Sequence, residues 1–214
     1  MVQAVIFDMD GTLFQTDKIL EVSLEDAFNH LASLGKWEGA IPIDTFREMM
    51  GAPLPEVWET LVPNQPVELR EQINDYFQER LVKNINNGKG ALYPHVEDTF
   101  AHLKNSGLSI FIASNGVPQY LRAIVRYYHL NNWVTETFSI EQITSFHKSD
   151  LVKTILTKYE IEEAVVVGDR LSDIKAAKDN GLTAVGCNFD FAKPDELSQA
   201  DFIINDLLEL RSIL

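Results

Sequence analysis

The chain opens on an apolar run, Ala4-Val5-Ile6-Phe7, that stops abruptly in Asp8-Met9-Asp10-Gly11-Thr12. A β-branched and aromatic run without polar alternation predicts a strand buried on both faces. From Thr16 to about Gly88 the pattern turns helical. Ile19, Val22, Ala27, Leu31 and Leu34 recur at helical spacing, and Gly35 reads as a stop. A helix through Asp44 to Met50 ends at Gly51, and Pro53 and Pro55 frame the next start. A longer amphipathic helix spans Pro66 to Lys83, and the Asn/Gly-rich stretch from Asn84 to Gly90 reads as a linker.

Beyond the linker, helices and strands alternate. Helices are predicted over residues 95–106, 118–128, 149–159 and 173–180, with strands over 108–113, 137–140, 164–167, 184–187 and 202–204. Such alternation predicts an α/β fold with a parallel sheet covered by helices on both faces. The helical block falls between the first and second strands, so it reads as an inserted lid rather than a tandem domain. There is no internal repeat and no low-complexity segment.

The 214 residues suit one large domain, or a domain with a sizeable insert. A net charge of -14 argues against nucleic acid or an anionic membrane surface as a partner. It also requires that an anionic substrate be captured by local positive charge. The single cysteine, Cys187, lies in an apolar stretch and is expected to be a buried structural residue. With no signal segment and no apolar run of spanning length, a soluble cytoplasmic protein is expected. Nothing in the sequence separates a monomer from a homodimer.

Chemistry concentrates where predicted strands end. Ligands of open α/β sheets bind beyond the carboxyl ends of the strands. In an extended chain Asp8 and Asp10 would share a face, and two carboxylates that close repel unless a cation or a proton lies between them. An all-oxygen donor set selects a hard ion such as Mg²⁺. Gly11 then permits a tight turn. The strand over 108–113 ends in Ser114-Asn115-Gly116, where a hydroxyl and backbone N–H groups form either a phosphate cradle or an ordinary helix cap. Lys148, just ahead of a predicted helix, would hold a phosphate and balance the carboxylates, whereas His147 reads as a loop residue. The strand over 164–167 runs into Gly168-Asp169-Arg170-Leu171-Ser172-Asp173. Asp169 would complete a Mg²⁺ site with Asp8 and the backbone carbonyl of Asp10. Asp173 would cap the helix or hold a water on the metal.

Asp8-Met9-Asp10-Gly11-Thr12, Ser114, Lys148 and Gly168-Asp169-Arg170-Leu171-Ser172-Asp173 together resemble the four ordered motifs of the haloacid dehalogenase-like hydrolases. The likeness is greatest to the phosphoglycolate phosphatase and β-phosphoglucomutase-like branch. The resemblance implies a Rossmann-like core over residues 1–15 and 89–214, with a helical-bundle cap over residues 16–88. It implies a Mg²⁺-dependent phosphatase acting on a small soluble phosphomonoester. Asp8 would be the nucleophile that forms an aspartyl-phosphate. Asp10 would protonate the leaving group and then activate water. Thr12, Ser114, Asn115 and Lys148 would hold the phosphoryl oxygens. The stretch Phe46-Arg47-Glu48-Met49-Met50-Gly51 resembles the cap's substrate-specificity loop, which makes Arg47, with Thr16 near the hinge, a candidate substrate contact.

Three positions depart from the family pattern: Gln15 replaces an acid, Ser149 replaces a proline after the lysine, and Leu20 replaces the histidine of the sugar-phosphate mutases. The last weighs against the alternative of a phosphomutase. An alternative of another class is a phospho-receiver signalling domain, which also combines an acidic Mg²⁺ site, a phosphorylated aspartate and a lysine. Such domains lack both the helical insert and an equivalent of Asp10. Trp37, Trp58 and Phe77 are expected to pack the cap rather than stack on substrate.

Overall fold

In a computed structural model, residues 1–49, 54–190 and 192–214 are described. The expected stop at Gly51, Pro53, and Met50 of the candidate specificity loop lie outside them. The chain divides into two compact units, residues 1–16 with 91–214, and residues 17–90.

The first unit is a six-stranded, wholly parallel sheet. Its strands are β1 (Ala4–Phe7), β2 (Ser109–Ser114), β3 (Glu136–Ser139), β4 (Ala164–Gly168), β5 (Thr183–Cys187) and β6 (Phe202–Ile204), in the order β3-β2-β1-β4-β5-β6. This is the doubly wound order, and the direction in which successive strands are added reverses between β1 and β4, which makes the gap beyond their carboxyl ends the expected ligand crevice. Phe7 pairs with Ile112 on one side and Val167 on the other. All four residues of β1 are fully buried, as a central strand covered on both faces requires. Cys187 ends β5 with no exposed surface, as its apolar setting implies.

The second unit holds α1 (Asp17–Ser33), α2 (Ile43–Glu48), α3 (Leu54–Leu61) and α4 (Val67–Asn86). Ile19, Leu24, Ala27, Phe28 and Leu31 form the buried stripe of α1, the spacing that directs one face into a core. Trp58 and Phe77 are buried with ring centroids 5.5 Å apart, and the Phe28 ring lies edge-on to Trp37 at 4.7 Å. All four are therefore packing residues within this unit.

The Asn-rich stretch does not begin a linker at residue 84: α4 continues to Asn86, with Asn84 and Ile85 fully buried. An asparagine favours turns when its side chain competes for local backbone. Here the Asn84 amide turns inward, donating to Ser23 Oγ at 3.1 Å and to Asp26 Oδ2 at 2.9 Å. Arg80 Nε donates to the same carboxylate oxygen at 2.8 Å. Burial raises the Asp26 carboxyl, but the bonds from Asn84 and Arg80 outweigh burial and hold it below its usual range. A depressed folded-state value contributes stability above the unfolded carboxyl range, and that contribution is lost as pH falls through the folded value. Asp26→Asn is therefore expected to cost about 1–2 kcal/mol at neutral pH. The difference from the native chain should shrink below about pH 4. Urea unfolding at the two pH values checks this, and a pH-independent difference would assign Asp26 a packing role only.

Around the sheet lie α5 (Val96–Asn105), α6 (Pro118–Tyr127), α7 (Lys148–Tyr159), α8 (Leu171–Asp179) and α9 (Pro194–Leu197). The last has four residues, too few to carry a periodic pattern. No helix among the described residues is long and apolar enough to cross a membrane.

Candidate active site

The strand β1 ends at Phe7, one residue before the first carboxylate, so Asp8 and Asp10 do not share a strand face. Met9 O accepts from both Leu13 N at 3.0 Å and Phe14 N at 2.9 Å, which closes the chain into a tight loop. Gly11 occupies the left-handed region at φ +72°, where only glycine is at ease, and a Cβ there would stand 2.4 Å from Asp169 Oδ2. The two carboxylates consequently serve separate clusters.

Asp8 faces the sheet's switch point. Its backbone N–H donates to Val167 O at 2.9 Å, tying the end of β1 to the end of β4. Lys148, the first residue of α7, places Nζ 2.7 Å from Asp8 Oδ1 and 2.5 Å from Asp173 Oδ1. Asp173 also closes the first turn of α8, accepting from Arg170 N at 3.0 Å. Asp169 accepts from Thr12 Oγ1 at 3.3 Å. Asp8, Asp169 and Asp173 each offer an oxygen, and these oxygens all lie within 4.8 Å of one another. All three are buried, as are Lys148 and Thr12.

The electrostatics follow from crowding three carboxylates around one ammonium away from water, with Asp10 near by. Burial pushes Asp8 well above the usual carboxylate range against the pull of Lys148, and Asp173, Asp169 and Asp10 add to the rise. Burial also raises Asp169, to about 7, with Asp173 contributing. Burial alone would favour a neutral Lys148, yet Asp173 and Asp8 hold its proton above the usual lysine range. Excess buried negative charge of this kind is relieved by protons or by a cation. The donors are hard oxygens and converge, so the residues present fit a divalent cation of the Mg²⁺ class. Burial, with the fields of Asp169, Asp173 and Asp8, pushes the Cys187 thiol well above its usual range, which disfavours the thiolate.

Asp10 belongs to the second cluster. Its Oδ1 accepts from Thr16 Oγ1 at 2.8 Å and from the Tyr120 hydroxyl at 2.6 Å. Burial raises the Asp10 carboxyl, and the Tyr120 and Thr16 bonds work against that rise. Tyr120 was not legible as a site residue from motif spacing. One signal existed: it lies on the apolar face of α6 with Leu121 and Ile124, and a buried tyrosine hydroxyl normally finds a partner.

The remaining candidates are placed as follows. Ser114 is buried at the end of β2, and its Oγ accepts from Gly116 N at 3.0 Å, while Asn115 is exposed. Arg47 lies in the helical unit, half exposed, with Nε donating to Glu21 Oε1 at 2.7 Å and Nη1 donating to Asp44 Oδ1 at 3.1 Å. Its guanidinium is thus committed to two acids of its own unit. Gln15 donates through Nε2 to Leu92 O at 2.6 Å, and Ser149 Oγ donates to Asp179 Oδ2 at 2.6 Å. Both departures from the family pattern therefore have structural employment: Gln15 ties the first-strand loop to the returning chain, and Ser149 ties α7 to α8.

A family model described as haloacid dehalogenase-like hydrolase matches residues 5–187. A 5′-nucleotidase of Pseudomonas aeruginosa is 24% identical over 215 residues, covering 98% of this chain and 94% of the relative. A phosphoglycolate phosphatase of Mannheimia succiniciproducens is 24% identical over 228 residues, with 97% and 96% covered. Among solved structures, CbbY from Rhodobacter sphaeroides in complex with phosphate superposes with a TM-score of 0.80 at 22% identity, covering 98% of this chain and 96% of that one.

Proposed function

Since the chain belongs to the haloacid dehalogenase-like hydrolase family and is a hydrolase of phosphate esters, we propose that it is a Mg²⁺-dependent phosphatase of small soluble phosphomonoesters working through a phosphorylated Asp8. The observation that carries this reading is the convergence of Asp8, Asp169 and Asp173 oxygens within 4.8 Å at the switch point, with Lys148 beside them. Family membership sets aside the phospho-receiver alternative. Leu20 on α1 carries no proton donor or acceptor in its side chain, which supports transfer to water over transfer to a sugar.

In this mechanism Asp8 attacks phosphorus in line with the leaving oxygen, its P–O bond forming as the ester P–O bond breaks. Asp10 gives the leaving oxygen a proton, then removes one from the water that attacks the phosphorylated Asp8. Lys148 and Ser114, with the backbone beyond Ser114, balance and orient the phosphoryl oxygens. A Mg²⁺ ion held by Asp8 and Asp169, with Asp173 next to them, would neutralise charge on both carboxylate and phosphate. The inserted helical unit is read as the family's cap. Two of the relatives named above are designated a 5′-nucleotidase and a phosphoglycolate phosphatase, which supports the substrate class and not one member of it.

Phosphate release from a panel of phosphomonoesters, with Mg²⁺ and with a chelator, tests the reading. Turnover confined to the Mg²⁺ samples is expected, and turnover indifferent to chelation would overturn the metal assignment. Independently of activity, Mg²⁺ at about 100 times its Kd should stabilise the native chain by about 2.7 kcal/mol. Asp169→Asn should lose most of that stabilisation in a thermal melt. A melt that shifts equally in both proteins would remove Asp169 from the metal site.

A further inference from the structure

We infer that Tyr120 is a positioning residue for the acid–base carboxylate: with Thr16 it commits Asp10 Oδ1, so that Oδ2 is the oxygen that exchanges protons with the reacting groups. The inference rests on the phosphatase reading above and names a part of that machinery the motifs do not contain.

The geometry is specific. Tyr120 is the third residue of α6, the helix that follows the Ser114 loop, and only 6% of it is exposed. Its ring meets Phe14 edge-on, with centroids 6.4 Å apart and planes at 78°. Gly116 leaves room for that ring, since a Cβ there would stand 3.1 Å from Tyr120 Cδ1. The phenol is thereby aimed at Asp10, 110 positions away in sequence, at 2.6 Å. Thr16 Oγ1 donates to the same oxygen at 2.8 Å. Among the described residues no hydrogen bond reaches Oδ2.

An oxygen that accepts two O–H donors has no lone pair left well placed for a proton of its own. The acid proton therefore belongs on Oδ2. In the first half-reaction the Oδ2–H bond breaks as the leaving oxygen takes the proton, and both donors stabilise the carboxylate left behind. In the second, Oδ2 takes a proton from the water whose oxygen bonds to phosphorus as the Asp8–phosphoryl bond breaks. Tyr120 touches neither substrate nor water in this scheme. It fixes which oxygen does.

The test compares two aryl esters of nearly equal shape. The p-nitrophenolate of p-nitrophenyl phosphate leaves readily without a proton, whereas the phenolate of phenyl phosphate depends on the acid. In Tyr120→Phe, kcat/KM for phenyl phosphate should fall about tenfold further than for p-nitrophenyl phosphate, a fraction of the factor general acids supply. In an Asp10→Asn background that extra loss should vanish, because the positioned group is already gone. Equal losses on both esters, or the same extra loss without Asp10, would reduce Tyr120 to a packing role. Thr16→Val removes the other donor to Oδ1 and should skew the ester ratio in the same direction, which keeps the test decisive should the phenylalanine variant fold poorly. Failure of this inference alone leaves native turnover and its dependence on Asp8 intact. Turnover that survives Asp8→Asn would instead overturn the reading on which it rests.

Discussion

Asp8→Asn is expected to abolish turnover of p-nitrophenyl phosphate, with kcat falling about 10⁴-fold or more, while the variant remains folded. The amide has the shape of the carboxylate but no charge, and its neutral carbonyl oxygen is too weak a nucleophile toward phosphorus, so the covalent route closes. Stability should move little or rise. Burial works against an ionised Asp8, and its neighbours Asp173, Asp169 and Asp10 raise its carboxyl further. Removing one of several crowded negative charges relieves that repulsion, and Lys148 keeps Asp173 as a partner at 2.5 Å. Phosphate release and a thermal melt on the same preparation read both effects. Activity within about tenfold of native would remove Asp8 as nucleophile.

Lys148→Met is expected to be damaging in both respects. Lys148 is a buried ammonium within ion-pair distance of Asp8 and Asp173. Deleting one member of a buried charge group leaves the others uncompensated, at a cost of about 3–5 kcal/mol. The cost has a definite pH dependence. Without the ammonium, the folded-state values of Asp8 and Asp169, already above the unfolded carboxyl range, lose the pull of Lys148 and rise further, so the folded chain binds protons more tightly than the unfolded chain. Stability relative to the native chain is then worst at high pH and recovers as pH falls through about 7, where Asp169 already takes up a proton in the native chain. Thermal melts at pH 8 and pH 5.5, without added metal, should show the larger deficit at pH 8. A deficit independent of pH would mean that Lys148 contributes by packing its methylenes alone. Activity should fall by about 10²–10³, the usual effect of removing a group that stabilises transition-state charge.

Much of the fold is legible in the chain because its local signals agree. The fully apolar β1 and β4 runs can only be strands buried on both faces, and each ends in a carboxylate at the sheet's switch point. The helical insert is announced by the change from strand-length runs to a 3.6-residue period after Thr16. Where local signals misled, a tertiary partner had overridden them. Asn84 reads as a helix breaker because an asparagine usually bonds its own backbone. Ser23 and Asp26 capture its amide instead, and α4 runs on to Asn86.

The site divides the same way. Asp8, Lys148 and Asp169 stand at strand or helix ends that sequence locates, and Asp173 joins the acid cluster from the first turn of α8. Their meeting required only the sheet order. The separation of Asp8 from Asp10 was hidden, since the chain leaves the strand at Phe7 and turns through Gly11. Tyr120 was hidden more deeply. Its place on the apolar face of α6 marks it as buried and not as a site residue, and its role depends on a ring contact with Phe14 and a hydrogen bond to Asp10, both from the far end of the chain. Such contacts are properties of packing, and packing is the part of a structure that a periodic pattern does not encode.

The central claim, that Asp8 itself carries the phosphoryl group, is tested most directly by trapping. An Asp10→Asn variant should still accept the phosphoryl group from p-nitrophenyl phosphate but hydrolyse the intermediate slowly, because its water-activating base is gone. Mass spectrometry of an acid-quenched digest should then find one added phosphoryl group on the peptide that contains Asp8, absent when Asp8→Asn is introduced as well. Steady phosphate release with no modified peptide, or a phosphoryl group on any other residue, would contradict the account.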